Sequence, residues 1–107
     1  MNRIIAIDFD GTLFEDDYPN IGAPIRGIID RAKQEQANGA KLILWTLREG
    51  ELLDKAITAC KRVGLVFDSI NGSLPEEITL WGHDPRKVAA TEYWDDRAAK
   101  LKTCVIC

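Results

Sequence analysis

Arg3-Ile4-Ile5-Ala6-Ile7 runs straight into Asp8-Phe9-Asp10-Gly11-Thr12-Leu13, and the fold turns on how that junction is read. An unbroken apolar run followed at once by acid and glycine marks a short strand buried on both faces. That is the habit of a parallel sheet rather than the alternation of a half-solvated one. Such a strand belongs at the centre of its sheet. Beyond it lies a polar stretch, Glu15 to Asn20, with Pro19 and Gly22. Pro24 then sits at a first-turn position, and Ile25, Ile28, Ile29 and Ala32 recur at helical spacing up to a stop near Gly39. Lys41-Leu42-Ile43-Leu44-Trp45 reads as a second buried strand. Leu53, Ala56, Ile57, Cys60 and Val63 form the stripe of a second helix that Gly64 terminates, and Leu65-Val66-Phe67 reads as a third strand.

Strand–helix–strand–helix–strand with short connections predicts an α/β fold with right-handed crossovers, a parallel sheet and helices on both faces. From Asp68 to Arg86 periodicity is lost, although Pro75-Glu76-Glu77-Ile78 can start a short helix. A last strand, about Thr91 to Trp94, leads into Asp95-Asp96; its mixed composition predicts that it is short or lies at the sheet edge.

With 107 residues, 46% hydrophobic and 29% charged, the chain has the composition of one compact domain, 1–107, and excludes disorder and low complexity. Fourteen Lys and Arg against seventeen Asp and Glu leave a formal charge of −3, and no basic run is dense enough to follow duplex nucleic acid. No apolar stretch reaches the ~20 residues of a membrane span, and the four apolar residues after Arg3 are too few for a signal peptide, so a cytoplasmic location is expected. Cys60, Cys104 and Cys107 have no disulfide spacing, which fits a reducing compartment. Cys60 is expected to pack as a small apolar residue. The terminal Cys104-Val105-Ile106-Cys107 matches a C-x-x-C pair and a prenylation box only weakly and reads as untied thiols.

Ligands of open parallel sheets bind at the carboxyl ends of the strands. There the sequence delivers Asp8, Asp10, Gly11 and Thr12 after the first strand, Thr46 and Arg48 after the second, and Asp95 and Asp96 after the last, with Lys87 shortly before it. Converging aspartates repel one another and are costly to desolvate, so a divalent cation among them is physically reasonable. Oxygen-only ligands favour Mg²⁺ over zinc, and Mg²⁺ typically takes one or two carboxylates, waters and a substrate phosphate. Rival phosphate and metal devices fail on inspection. None of the eight glycines precedes Lys, which excludes a P-loop, there is no G-x-G-x-x-G, and an EF-hand centred on Gly11 would need aspartate where Ala6 stands.

The stretch from Ile4 to Leu13 resembles motif I of the haloacid dehalogenase superfamily, an apolar strand followed by D-x-D-G-T. Thr46 resembles motif II, Lys87 motif III, and Asp95-Asp96 the two-acid form of motif IV. Leu44-Trp45-Thr46-Leu47-Arg48-Glu49-Gly50, Asp84-Pro85-Arg86-Lys87 and Tyr93-Trp94-Asp95-Asp96 are further similar to a family of small hydrolase-like proteins of bacteria and their phages, over about residues 3 to 98. The resemblance implies a three-layer Rossmann-like fold and a nucleophilic Asp8 that forms an aspartyl-phosphate, with Asp10 as general acid and then base. It implies that Gly11, Thr12, Thr46, Arg48 and Lys87 hold phosphoryl oxygens. It also implies that Asp8, the Asp10 backbone carbonyl and Asp95 bind Mg²⁺, with Asp96 as the alternative or as support.

Plainer readings stand beside these. Thr46 can cap a helix, Lys87 can be a solvated lysine, Arg48 an exposed loop residue and Asp95-Asp96 a cap of the segment Arg97 to Lys100. Trp45 and Trp94 read as core or rim packing, and His83 as a loop residue. Spacing leaves no room for a cap domain, so large phosphorylated molecules are admitted, or a flap near Tyr18 or a partner subunit covers small ones. Eleven residues follow Asp96, too few for the further helix and strand that the resemblance leads one to expect; the domain is then minimal or truncated, which leaves room for a homo-oligomer. The expectation is a Mg²⁺-dependent phosphomonoester phosphatase. The alternatives are a non-catalytic phospholigand- or partner-binding module, and a phosphotransferase or polynucleotide phosphatase.

Overall fold

The computed structural model describes residues 3–84 and 88–95. Lys87, Asp96, Cys104, Cys107 and the segment Arg97 to Lys100 lie outside them. Strand β1 (Ile4–Ile7) leads into a β-hairpin, β2 (Phe14–Asp17) and β3 (Asn20–Pro24), and then helix α1 (Arg26–Ala37). There follow β4 (Lys41–Leu44), α2 (Gly50–Arg62), β5 (Ser69–Ile70), α3 (Pro75–Trp81) and β6 (Glu92–Trp94). The main sheet is parallel, in the order β5-β4-β1-β6. Parallel neighbours flank β1 on both edges, and all four of its residues are buried, as the apolar run requires. This is an α/β, Rossmann-like arrangement. Among the described residues only the hairpin separates β1 from α1, so no cap domain is present there. No helix among them is long and apolar enough to cross a membrane.

The side chains of β1 and β4 alternate between two cores. Ile5, Ile7, Leu42 and Leu44 meet Ile29 and Ala32 of α1 and Ala56 and Cys60 of α2, while Ile4, Ala6 and Ile43 meet Leu74 and Val88 on the opposite face. Each fully buried Ile or Leu contributes roughly 1.5–3 kcal/mol of transfer free energy. Helices α1 and α2 therefore share one face, and chain around α3 covers the other. Cys60 packs among apolar side chains as expected, and burial pushes its thiol up to about 12.

Two sequence readings are corrected and one unassigned stretch is filled in. Pro24 does not open α1; it closes β3 opposite Phe14, and the helix starts at Arg26 behind Ile25, whose N–H donates to the Leu13 carbonyl. The polar Glu15 to Asn20 stretch, to which the sequence assigns no element, is ordered. It forms most of the hairpin, whose turn is the cis Tyr18–Pro19 bond. Leu65-Val66-Phe67 is not a strand, because its polar groups are engaged elsewhere: the Leu65 N–H closes α2 on the Cys60 carbonyl, and the Val66 carbonyl accepts from Gln36. Pairing begins only at Asp68, whose carboxylate accepts the Leu42 N–H while its own N–H donates to the Leu42 carbonyl.

Gly22 fixes the hairpin register. It lies at the irregularity between the Phe14↔Pro24 and Asp16↔Ile21 pairs, and a Cβ there would stand 2.2 Å from the Glu15 carbonyl oxygen. At the opposite end of the fold, nearly buried Glu35 of α1 accepts from Arg3 at 2.9 Å and Arg31 at 3.2 Å, and Arg3 also reaches Glu92 of β6 at 2.6 Å. The Arg3 hydrogen bond, above all, holds the Glu35 carboxyl below its ordinary range.

Gly22→Ala is expected to destabilise the fold by about 1–3 kcal/mol, read as a lower denaturant midpoint at unchanged slope. Because Glu35 is lowered in the folded state, its contribution is present above the ordinary glutamate range and disappears as pH falls through the lowered folded value. Urea midpoints measured across acid pH should therefore fall less steeply for Glu35→Gln than for the native chain, and start lower at neutral pH.

Candidate active site at the carboxyl edge

The connections β1-α1-β4 and β4-α2-β5 step away from β1 in one direction, whereas β6 adds on its other side. The strand order reverses there, so the crevice of this sheet opens between the carboxyl ends of β1 and β6. Ile7 pairs with Trp94, and the Asp8 N–H donates to the Trp94 carbonyl at 2.9 Å. Asp8 and Asp95 are consequently the next residues out of two adjacent, in-register strands. Both are partly exposed.

From the other neighbour, the Trp45 N–H donates to the Ile7 carbonyl at 2.9 Å, and Thr46 follows. The Thr46 N–H is fixed on Asn71 Oδ1 at 2.7 Å, at the end of β5, and its hydroxyl accepts the Arg48 N–H at 3.1 Å. Thr46 is thus not the cap of α2, which is Glu49. Accepting leaves the hydroxyl proton to donate. The strand ends thereby gather Asp8, Asp95 and Thr46 along one edge, together with Asp10.

The turn after β1 is compact. The Phe9 carbonyl accepts the N–H groups of Leu13 and Phe14 at 3.0 and 3.2 Å and, more weakly, that of Thr12 at 3.3 Å. Gly11 supplies the positive φ of 87°, and its N–H donates to the Phe14 carbonyl at 2.7 Å. The N–H groups of Gly11 and Thr12 therefore face into the turn. Thr12 is buried within it.

Arg48 differs most from its plain reading as an exposed loop residue. It is 1% exposed, while its neighbour Leu47 is 98% exposed, an inversion of the usual sorting of charged and apolar side chains. Its Nε donates to Asp10 Oδ2 at 2.8 Å and its Nη2 to Asp10 Oδ1 at 2.7 Å, a bidentate pair. Nη2 also donates to the Asn20 carbonyl at 2.7 Å and Nη1 to the Pro19 carbonyl at 3.2 Å. The guanidinium carbon lies 5.1 Å from the ring centroids of both Phe9 and Tyr18. The hydrogen bond to Asp10 is the main reason that the Arg48 pKa is raised. Removing one member of such a buried pair typically costs about 3–5 kcal/mol.

Trp45 and Trp94 pack as expected, Trp94 against the α1/α2 core and Trp45 against the other, where it meets Tyr93 at 5.4 Å. His83 is an exposed loop residue. Lys87 and Asp96 lie outside the described residues.

Among the described residues no three His, Cys, Asp or Glu side chains cluster closely enough to hold a metal. The Asp10 side chain is held by Arg48, and the other oxygen groups at the crevice include the carboxylates of Asp8 and Asp95 and backbone carbonyls. An all-oxygen set with one or two carboxylates suits Mg²⁺, which keeps water and phosphate in its other positions.

No protein-family model matches the chain, and no curated protein does. Among solved structures, a conserved protein coded by a locus of Bacteroides thetaiotaomicron is similar, with a TM-score of 0.82 and 43% sequence identity. The match covers 92% of this chain and 79% of that one. At that identity and coverage, the chain belongs to the same family as the conserved Bacteroides thetaiotaomicron protein.

Proposed function

We propose that this protein is a capless, Mg²⁺-dependent phosphomonoester phosphatase of the haloacid dehalogenase type. One observation carries the reading: Asp8 and Asp95 leave neighbouring parallel strands at the crevice where the order of the sheet reverses, with Thr46 leaving the strand on the other side of β1. An Asp8 oxygen attacks phosphorus and the bond from phosphorus to the leaving oxygen breaks; Asp10, once it has turned from Arg48 and taken up a proton from solvent, protonates that oxygen. Water then attacks phosphorus, Asp10 takes its proton, and the Asp8–phosphorus bond breaks to release inorganic phosphate. The Thr46 hydroxyl donates to a phosphoryl oxygen, and Lys87 supplies a second contact. Since Gly11 and Thr12 turn their N–H groups inward, those of Phe9 and Asp10 are the turn's candidates for the remaining oxygens. Mg²⁺ held by Asp8, Asp95 and the Asp10 carbonyl, with Asp96 in support, would neutralise the charge that gathers there.

A second reading draws on the bidentate Arg48–Asp10 pair. If that pair is purely an anchor, the crevice binds a phosphorylated ligand or partner without turning it over.

Turnover of p-nitrophenyl phosphate with Mg²⁺ separates the two. Asp8→Asn is expected to lower kcat by at least ~10³-fold, and removal of Mg²⁺ by chelation to abolish turnover. A beryllofluoride adduct should form on Asp8 in the native chain. Turnover that survives Asp8→Asn would exclude the covalent route; no turnover, with phosphate still bound, would establish the binding module.

A further inference from the structure

We infer that Asn71 is a positioning residue that places the Thr46 hydroxyl by completing the sheet with its own side chain. Strands β4 and β5 pair in parallel over Ile43↔Ser69 and Leu44↔Ile70, and the Asn71 N–H then donates to the Leu44 carbonyl at 2.7 Å. In a parallel ladder the residue that donates there also accepts, through its own carbonyl, from the residue two further along the neighbouring strand. That residue is Thr46. At Asn71, however, φ is 53°, and this left-handed backbone turns the chain out of the sheet toward α3. The Thr46 N–H is met instead by Asn71 Oδ1 at 2.7 Å. The side chain stands in for the main-chain carbonyl, and β4 gains a rung past the end of β5.

Few residues can both bend the chain here and supply that acceptor. Glycine, asparagine and aspartate enter the left-handed region at low cost, but glycine has no acceptor. Aspartate would accept, yet it would add a negative charge to an edge that already gathers Asp8, Asp10 and Asp95 and takes up a phosphoryl group. The neutral amide bends, bonds and adds no charge. The turn is braced from behind: Ser69 Oγ donates to the Gly72 carbonyl at 2.7 Å, the Ser73 N–H donates to Asp84 Oδ1 at 3.3 Å, and a Cβ on Gly72 would stand 3.2 Å from Asp84 Oδ2. Buried Ser73 in turn accepts the Ala89 N–H at 2.9 Å. Thr46 is therefore held at two points, its N–H by Asn71 and its hydroxyl oxygen by the Arg48 N–H at 3.1 Å. The first bond fixes the peptide plane and the second the side-chain torsion, so the hydroxyl is located from both sides.

The phosphoryl contact of Thr46 rests on the phosphatase reading; its placement by Asn71 does not. Asn71→Gly keeps the left-handed backbone and deletes the acceptor, so the chain is expected to fold with a near-native denaturant midpoint. The Thr46 amide should then exchange at least ~10-fold faster while the amide at position 71 keeps its native rate. Asn71→Asp, which retains the oxygen, should leave Thr46 near its native rate. Native exchange at Thr46 in Asn71→Gly overturns the inference, and so does equal loosening of both amides.

Turnover of p-nitrophenyl phosphate with Mg²⁺ separates positioning from mere support. Asn71→Gly is expected to lower kcat by about 5–20-fold in the native background and by less than about twofold in Thr46→Val, where no hydroxyl remains to be placed. Asn71→Asp is expected to raise KM by about 3–10-fold with kcat within about twofold, since the bond is kept and only the charge is new. Equal losses in both backgrounds, or a kcat defect in Asn71→Asp as large as in Asn71→Gly, would overturn the inference. A native chain without turnover counts against the phosphatase reading alone. The same cycle is then read from calorimetric affinity for inorganic phosphate with Mg²⁺, where Asn71→Gly should weaken binding about fivefold in the native background and not in Thr46→Val. A native chain that neither turns over nor binds phosphate overturns both.

Discussion

Strand β1 is bonded along both edges and buried on both faces, and this double confinement organises the molecule. A strand so enclosed admits no polar side chain along its length. Its first carboxylate can appear only where the strand leaves the sheet, and Asp8 stands there. Because the neighbours are parallel, their exits lie on the same edge. Asp95 and Thr46 are thereby delivered beside Asp8 by backbone hydrogen bonding rather than by side-chain packing. The chemistry proposed for this edge uses residues whose relative positions are set by the most deeply buried part of the chain.

The apolar run of Ile4 to Ile7 sufficed to read the strand's centrality, and the stripe from Leu53 to Val63 gave the second helix with its glycine stop. Both signals are hydrophobic periodicity, which burial enforces directly. The errors fell where side-chain and main-chain hydrogen bonds outweigh propensity. Leu65-Val66-Phe67 has ideal strand composition, yet its neighbours draw its donors and acceptors away before the sheet can use them. The hairpin strands are not legible in the sequence because Glu15-Asp16-Asp17 has no alternation. They are held by the close approach at Gly22 and the packing of Phe14 and Ile21 rather than by a polar/apolar pattern.

The site was legible as a set of residue types at strand ends, and less so as a set of partnerships. Crowded carboxylates require positive charge, and the sequence reading assigned that need to a metal. Part of it is met within the chain by Arg48, two residues beyond Thr46 in the loop that follows β4. A cation placed at a strand end beside an acidic pair is the signal that could have identified it. What no spacing could reveal is that the same guanidinium also holds the hairpin, because Pro19 and Asn20 contribute backbone carbonyls and any residue there has one.

The two indoles at the strand ends give the protein an intrinsic optical probe. Trp94 is the last residue of β6 before Asp95, and Trp45 the first beyond β4, so they bracket the exit of β1 from either side. Both are partly buried, whereas Trp81, the remaining tryptophan, is exposed on α3. Emission from the bracketing pair therefore reports the packing on the two faces of the sheet at that edge, while the more solvated third indole emits further to the red.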